Sequence, residues 1–185
     1  GLLADMELAI TVTNAATGSA GVASLNKISA GTTGTVTVAS VSGKAAELAL
    51  LSESDAAAGT TGTQAYTIVV DDTATAAEGA AIAIATSATT VDFSAKGITD
   101  AFVKVTDGTG IHADIGKIDE KDPDVNITVN DTVTVTGDNV LAFNALGAAT
   151  TGTVKATING NIAELDDLTA TKSLAADMDL AITVA

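Results

Sequence analysis

Six acidic residues crowd the least regular part of the chain, and they are the one group whose types and spacing could bind a metal ion. They are Asp107, Asp114, Asp119, Glu120, Asp122 and Asp124. Calcium takes six to eight oxygen ligands from carboxylates, carbonyls and water, which a folded acidic loop can supply. Neither an EF-hand loop nor a G-G-x-G-x-D nonapeptide is present. The segment is therefore read either as a calcium site or as a solvated acidic loop, and no other cofactor is expected.

The candidate catalytic residues do not favour an enzyme. His112 is the only histidine, and the chain has no cysteine. No G-x-S-x-G elbow, P-loop or G-x-G-x-x-G element occurs. The enzymatic alternative, a glycan-active β-helix, needs paired carboxylates and usually aromatic sugar platforms, and this chain has three phenylalanines and one tyrosine. We predict a protein without catalytic activity.

Composition limits the partners that the chain can bind. Its 23 acidic and 8 basic residues give a formal charge of −15, and every basic residue is a lysine. Without arginine, and with a surface that repels phosphates, nucleic-acid binding is not expected. A hydrophobic fraction of 46% argues against disorder. No sequence stretch approaches the roughly 18 apolar residues of a membrane helix, so no membrane span is predicted.

Related phrases recur along the chain at two intervals. Four β-type phrases are centred on an isoleucine and follow one another after 55 to 59 residues: Leu8–Val12, Tyr66–Val70, Val125–Val129 and Leu180–Val184. A different phrase falls about midway between two of them, at Gly34–Val41 and again at Gly152–Ile158, and each begins inside a T-T-G-T. T-T-G-T also occurs at Thr60–Thr63, and we read its glycine as a sharp turn into a strand. The underlying unit is therefore about 28 residues long, which is typical of repeat proteins.

The residue pattern within these units predicts the fold. Valine and isoleucine alternate with threonine in the phrases, which favours strands, and Ala/Leu-rich runs between them have helical spacing. We predict a mainly β repeat protein, an elongated parallel solenoid with helices of about two turns at the coil edges. Residues 1–185 would form one continuous repeat array, with coils near 8–54, 65–88 and 125–185 and an irregular insertion at about 89–124. The alternative is a chain of small β-sandwich domains with antiparallel neighbouring strands.

The repeated segments resemble a known type of repeat. The stretches LNKISAGTTGTVTVASVSGKAAEL and FNALGAATTGTVKATINGNIAEL resemble repeats of very large secreted and surface proteins of bacteria, especially cyanobacteria, and of related phage structural proteins. The resemblance covers Leu8–Ser52 and Val125–Val184. It implies an extracellular structural or adhesive role and brings no catalytic residues. Ser29 and Gly147 replace an aspartate of the usual pattern, so no charge-dependent role is carried over to those positions.

Both ends of the repeat array are expected to expose an uncovered apolar layer. The residues concerned are Leu3, Leu8 and Ile10 at one end and Leu180, Ile182 and Val184 at the other. We therefore predict head-to-tail continuation, either within a giant chain or between subunits of a filament. The function that follows is a structural repeat of an extracellular or cell-surface protein, adhesin or filament. The alternative is a segment of a phage tail fibre.

Overall fold

Strands and helices alternate along the computed structural model, which describes residues 7–52, 64–88, 90–93, 96–169 and 177–184. Of these residues, 36% are helical and 34% lie in strands. The chain divides into two compact units, Gly1–Lys96 and Gly97–Ala185, and each unit is described by itself.

The first unit is built on a parallel sheet. Its elements in chain order are β1 (Ile10–Val12), β2 (Ala16–Thr17), α1 (Gly18–Ser29), β3 (Val36–Gly43), α2 (Ala45–Leu48), β4 (Gln64–Val70), α3 (Ala76–Ile84) and β5 (Val91–Asp92). The strand order is β1-β3-β4-β5, and β2 also pairs with β3. Neighbouring strands are about one sequence unit apart, since Val36 lies opposite Gln64.

The second unit repeats this plan. Its elements are β6 (Ile98–Asp100), α4 (Phe102–Val105), β7 (Thr106–Asp107), β8 (Gly110–Ile111), α5 (Ala113–Asp119), β9 (Ile127–Thr134), α6 (Gly137–Ala149), β10 (Thr153–Gly160), α7 (Ile162–Thr169) and β11 (Asp177–Val184). Its parallel sheet has the order β11-β10-β9-β6, and β7 and β8 form a separate antiparallel pair. Ile127 lies opposite Val154.

The core of each unit combines one face of the strands with one face of the helices. In β3, Val36 and Val38 are buried because side chains alternate between the two faces of a strand. Val41 is buried as well, since the pairing with β4 shifts register between Val38 and Val41. In α1, Val22 and Leu25 are buried at a helical spacing of three. Helix α3 begins with a capping box, in which Thr75 Oγ1 accepts from Glu78 N and Glu78 Oε2 accepts from Thr75 N.

The predicted mainly β solenoid is wrong, because the described residues are as helical as they are extended. The Ala-rich runs form helices of up to 12 and 13 residues, α1 and α6, rather than two turns. Alanine and leucine are strong helix formers, and each helix is further stabilised by packing on a neighbour. The sandwich alternative is also wrong, since β3 pairs in parallel with β1 and with β4.

A buried threonine hydroxyl joins each of three helix-to-strand connections to the strand before it. Thr32 Oγ1 donates to Leu8 O at 2.7 Å and accepts from Leu8 N at 3.1 Å and Gly34 N at 2.9 Å. Its one hydrogen and two lone pairs are all used. Thr86 makes the same three bonds with Tyr66 and Ala88. We call this arrangement the threonine clasp.

The clasp recurs in the second unit, where it binds the residue at the equivalent position of the repeated phrase. Thr150 Oγ1 donates to Val125 O at 2.7 Å and accepts from Gly152 N at 2.9 Å. The clasped residue is always two positions before the central isoleucine of a repeated phrase. The clasp therefore links the start of β1, β4 and β9 to the helix-to-strand connection that follows each of them, at Thr32, Thr86 and Thr150.

Two of the clasps require glycine two residues after the threonine. A Cβ at Gly34 would lie 2.5 Å from the carbonyl carbon of Leu8, and a Cβ at Gly152 would lie 2.5 Å from Val125 O. Real Cβ atoms do not approach backbone atoms so closely, so the T-T-G sequence is a packing requirement as well as a turn.

Replacing the clasp threonine by its isostere should destabilise the fold. Thr32→Val keeps the volume but leaves backbone groups of Leu8 and Gly34 without their partner, which should cost about 2 kcal/mol of unfolding free energy. Thr33→Val is the matched control, because the Thr33 side chain is half-buried and carries no clasp; its effect should stay within about 0.5 kcal/mol. Urea unfolding measures both. Equal effects of the two variants would show that the hydroxyl bonds are unimportant.

A methyl group at the close approach should also destabilise the protein. Gly152→Ala forces the connection away from Val125 and should cost about 1–3 kcal/mol. Gly137→Ala is the control: no atom lies within 4 Å of its added Cβ, and it opens α6, so alanine should stabilise by up to about 1 kcal/mol. Thermal melts of the two variants should therefore shift in opposite directions, and shifts of the same sign would contradict the packing argument.

Candidate functional site

The last described strand, β11, forms an open sheet edge. It pairs with β10 over eight positions, from Thr153 opposite Asp177 to Gly160 opposite Val184, and has no other strand partner among the described residues. Ile182 lies opposite the fully buried Ile158 and so points to the core face, yet its side chain is 51% exposed. The core-facing side chains of β11 therefore have a neighbouring strand, β10, along one edge and no strand along the other among the described residues.

An apolar groove runs between this strand and helix α7. Ile162, Leu165, Asp166, Ile182 and Val184 line about 280 Å³ of space. Ile162 is 74% and Val184 60% exposed. Several exposed apolar side chains in one groove mark a surface suited to a further apolar layer.

The sheet of the first unit has an open edge at β1. Strand β1 pairs with β3 alone among the described residues, with Ile10 opposite Val36. Leu8, just before the strand, is 41% exposed although its backbone is held by Thr32. Beside this edge a groove of about 480 Å³ lies against α1, lined by Val12, Ala16, Ala20, Gly21, Leu25 and Ile28 among others.

The predicted assembly residues fall on these two edges. Leu8 and Ile10 lie at or beside β1, and Leu180, Ile182 and Val184 lie in β11. Leu3 lies outside the described residues. The two edges carry the same five residues, LAITV.

The predicted acidic site is spread over several elements. Asp107 lies in β7, Asp114 and Asp119 in α5, Glu120 directly after α5, and Asp122 and Asp124 before β9. No group of three or more His, Cys, Asp or Glu within the described residues is placed to hold a metal ion. Calcium binding stays a prediction from the sequence.

Local contacts explain the acidic residues and the histidine at α5. His112 precedes the helix, and its Nδ1 accepts from Asp114 N at 3.3 Å. Lys117 Nζ lies 3.4 Å from Asp114 Oδ1. Burial, together with the neighbouring charge of Glu120, raises the pKa of the Asp119 carboxyl. The histidine therefore occupies a helix-capping position.

Sequence reasoning missed the polar residues that join successive strand–helix units. Asp72 Oδ1 accepts from Ala45 N at 2.7 Å, and Asp131 Oδ1 accepts from Phe102 N at 2.7 Å, so each carboxylate caps a helix of the preceding unit. The signal that could have found two of the three clasps was the recurrence of T-T-G, which we read only as a turn; the third, at Thr86, is followed by Ser87 and Ala88.

Two buried polar side chains lie side by side at the start of β4. We assign the Gln64 amide so that its nitrogen donates to Ser52 O and Ala85 O and its oxygen accepts from Ser29 Oγ. Tyr66 is 1% exposed, and its hydroxyl has no hydrogen-bond partner in the described part of the chain. Burial raises the pKa of the Tyr66 phenol to about 12.

The chain matches no protein-family model, and searches of curated proteins and of solved structures return no match. The resemblance of its repeated segments to bacterial surface proteins therefore stays a prediction. None of the helices in the described ranges has the length and apolar character needed to cross a membrane.

The buried phenol should make the protein less stable at alkaline pH. The pKa of Tyr66 is 10.0 when the chain is unfolded and about 12 when it is folded. Between these pH values only the unfolded chain loses the proton, so the free energy of unfolding falls as pH rises, by up to about 2.7 kcal/mol for two units. Below pH 10 this contribution is fully retained.

Tyr66→Phe separates this effect from the titration of lysines. The variant should lack Tyr66's share of the alkaline loss and should gain about 1 kcal/mol at neutral pH, because a hydroxyl buried without a partner is removed. Urea unfolding at several pH values measures both effects. Since Tyr66 is the only tyrosine and there is no tryptophan, phenolate absorbance reports its ionisation directly. A variant with the parent's alkaline loss would contradict the assignment.

Proposed function

We propose that this protein is a non-catalytic structural module of an extracellular surface protein, adhesin or filament, and that its strand–helix units continue head to tail. One observation carries the proposal. The open edges β1 and β11 present the same pentapeptide, with core-facing side chains that are only half covered: Ile182 and Val184 are 51% and 60% exposed. An apolar layer of this kind is stabilised when another layer covers it.

The use of the polar residues supports a structural role. Thr32, Thr86 and Thr150 are buried and bonded to the backbone. Asp72 caps α2 and Asp131 caps α4, each a helix of the preceding strand–helix unit. These side chains stabilise contacts between successive units. Polar residues used in this way stabilise the packing of one strand–helix unit on the next.

The acidic surface and the resemblance support the extracellular location. A charge of −15 keeps an elongated assembly soluble and disfavours lateral association through self-repulsion. The repeat type that the chain resembles belongs to very large secreted and surface proteins. End-to-end contacts made by backbone pairing and small apolar side chains are compatible with such a surface.

Charges on the core face of β11 should prevent assembly. In Ile182→Lys/Val184→Lys, two ammonium groups would have to be desolvated at the contact, so association should weaken at least about tenfold, or about 1.4 kcal/mol. The matched control is Val103→Lys/Leu141→Lys, which adds the same charge at exposed helix positions. Sedimentation velocity over a wide concentration range measures the species of each protein.

The size of the assemblies distinguishes the alternatives. A parent protein that forms open-ended polymers, retained in the helix variant and lost in the β11 variant, is the expected result. Trimers that do not grow with concentration would favour a phage fibre segment. A parent that stays monomeric at high concentration with both edges folded would contradict assembly between subunits.

A further inference from the structure

Two kinds of strand lie side by side in part of each sheet. We call β1, β4, β9 and β11 the phrase strands, because they carry the repeated isoleucine-centred phrases. We call β3 and β10 the T-T-G strands, because T-T-G-T leads into them and they carry no such phrase; T-T-G-T also precedes the phrase strand β4, at residues 60–63. Strand β3 lies between β1 and β4, and β10 lies between β9 and β11. Each T-T-G strand thus has a phrase strand on both sides.

The clasp joins a phrase strand to the connection that follows it in the chain. Strands β1, β4 and β9 are each held by the threonine of the connection that follows them, at the residue two positions before the central isoleucine. In β11 that residue is Leu180, for which no clasp threonine is present among the described residues. Among the described residues β11 has one neighbouring strand, β10, whereas the phrase strands β4 and β9 each have two.

Strand β3 is a surface that fits the unpaired edge of β11. The LAITV sequence of β1 is bound by β3 in the register Ile10 opposite Val36, Thr11 opposite Thr37 and Val12 opposite Val38. Thr32 holds the backbone of Leu8, and Gly34 leaves room for its carbonyl group. Because β11 has the identical pentapeptide, β3 is complementary to β11 as well.

We propose that β11 of one copy pairs with β3 of a second copy in the place of that copy's β1. Ile182 then lies opposite Val36 of the second copy, and Thr32 of that copy holds Leu180. This inference rests on the proposed head-to-tail function and names the surfaces that meet.

The strand pairing on the two sides of the exchange favours it at high concentration. Strand β1 pairs with β3 at three positions, whereas β11 is anchored to β10 at eight. The incoming LAITV of β11 makes the same hydrogen bonds and side-chain packing on β3 as the LAITV that it displaces, which is the condition for exchange of an element between copies. In addition, α1 of the second copy can cover the α7 groove, as α2 covers α1 and α6 covers α7 within the units.

Paired cysteines test the register, since the chain has none of its own. In Thr37→Cys/Thr183→Cys, the exchange places the two sulfurs on neighbouring parallel strands of different copies, about 4.8 Å apart at Cα, where a disulfide can form. In Thr11→Cys/Thr183→Cys, a disulfide instead forms if β11 of one copy pairs with β1 of another while β1 remains on β3. Thr11→Cys/Thr37→Cys ties β1 to β3 within one copy. All three positions are exposed.

The proposal expects disulfide-linked ladders on non-reducing gels from Thr37→Cys/Thr183→Cys, with at least a tenfold higher yield than from Thr11→Cys/Thr183→Cys. The tied variant should associate at least tenfold more weakly when oxidised and regain assembly on reduction.

Other outcomes would contradict the strand exchange, and they distinguish its failure from a failure of the proposed head-to-tail assembly. Ladders from Thr11→Cys/Thr183→Cys, or assembly that persists in the oxidised tied variant, would show that the edges meet without displacing β1; head-to-tail assembly would stand and the exchange would be wrong. Absence of concentration-dependent species in the unmodified chain would contradict both.

Discussion

A threonine hydroxyl buried between one strand and the connection to the next is the interaction on which the rest of the structure depends. Adjacent strands of a parallel sheet are joined by long connections, so the turn itself does not set their register. The clasp sets it by binding the backbone N–H and C=O of one residue, Leu8 or Tyr66, where pairing begins. Because these groups lie in or beside the core, the hydroxyl satisfies backbone polar groups that would otherwise be costly to bury.

Small residues allow this clasp to be repeated. Gly34 and Gly152 let the connection approach the preceding strand, and alanine-rich helices pack on a sheet of valine and isoleucine without bulky side chains. Carboxylates in a strand or just after one, Asp131 and Asp72, then cap the helices of the preceding unit. Each strand–helix unit is therefore stabilised by its neighbours. The edge strands β1 and β11 each have one strand partner among the described residues.

Parts of this arrangement were predictable from local patterns. The alternation in VTVASV identified β3, the Thr75–Glu78 spacing identified the start of α3, and the four phrases identified strands that recur. The helical share was underestimated, because Ala-rich runs such as α6 have little amphipathic pattern from which length can be read. The acidic residues were grouped by their closeness in sequence, whereas β7, α5 and the connection before β9 separate them in space.

By itself, the sequence determined that the repeated phrases are strands and that the same pentapeptide occurs in β11 and at β1, since strand pattern and repetition are local properties. The tertiary structure decided that the strands pair in parallel, that Thr32, Thr86 and Thr150 clasp the preceding phrase strand, and that Tyr66 is buried without a partner for its hydroxyl among the described residues. The clasps join residues 20 to 25 positions apart, and a contact at that separation depends on how successive units pack, which no local pattern specifies.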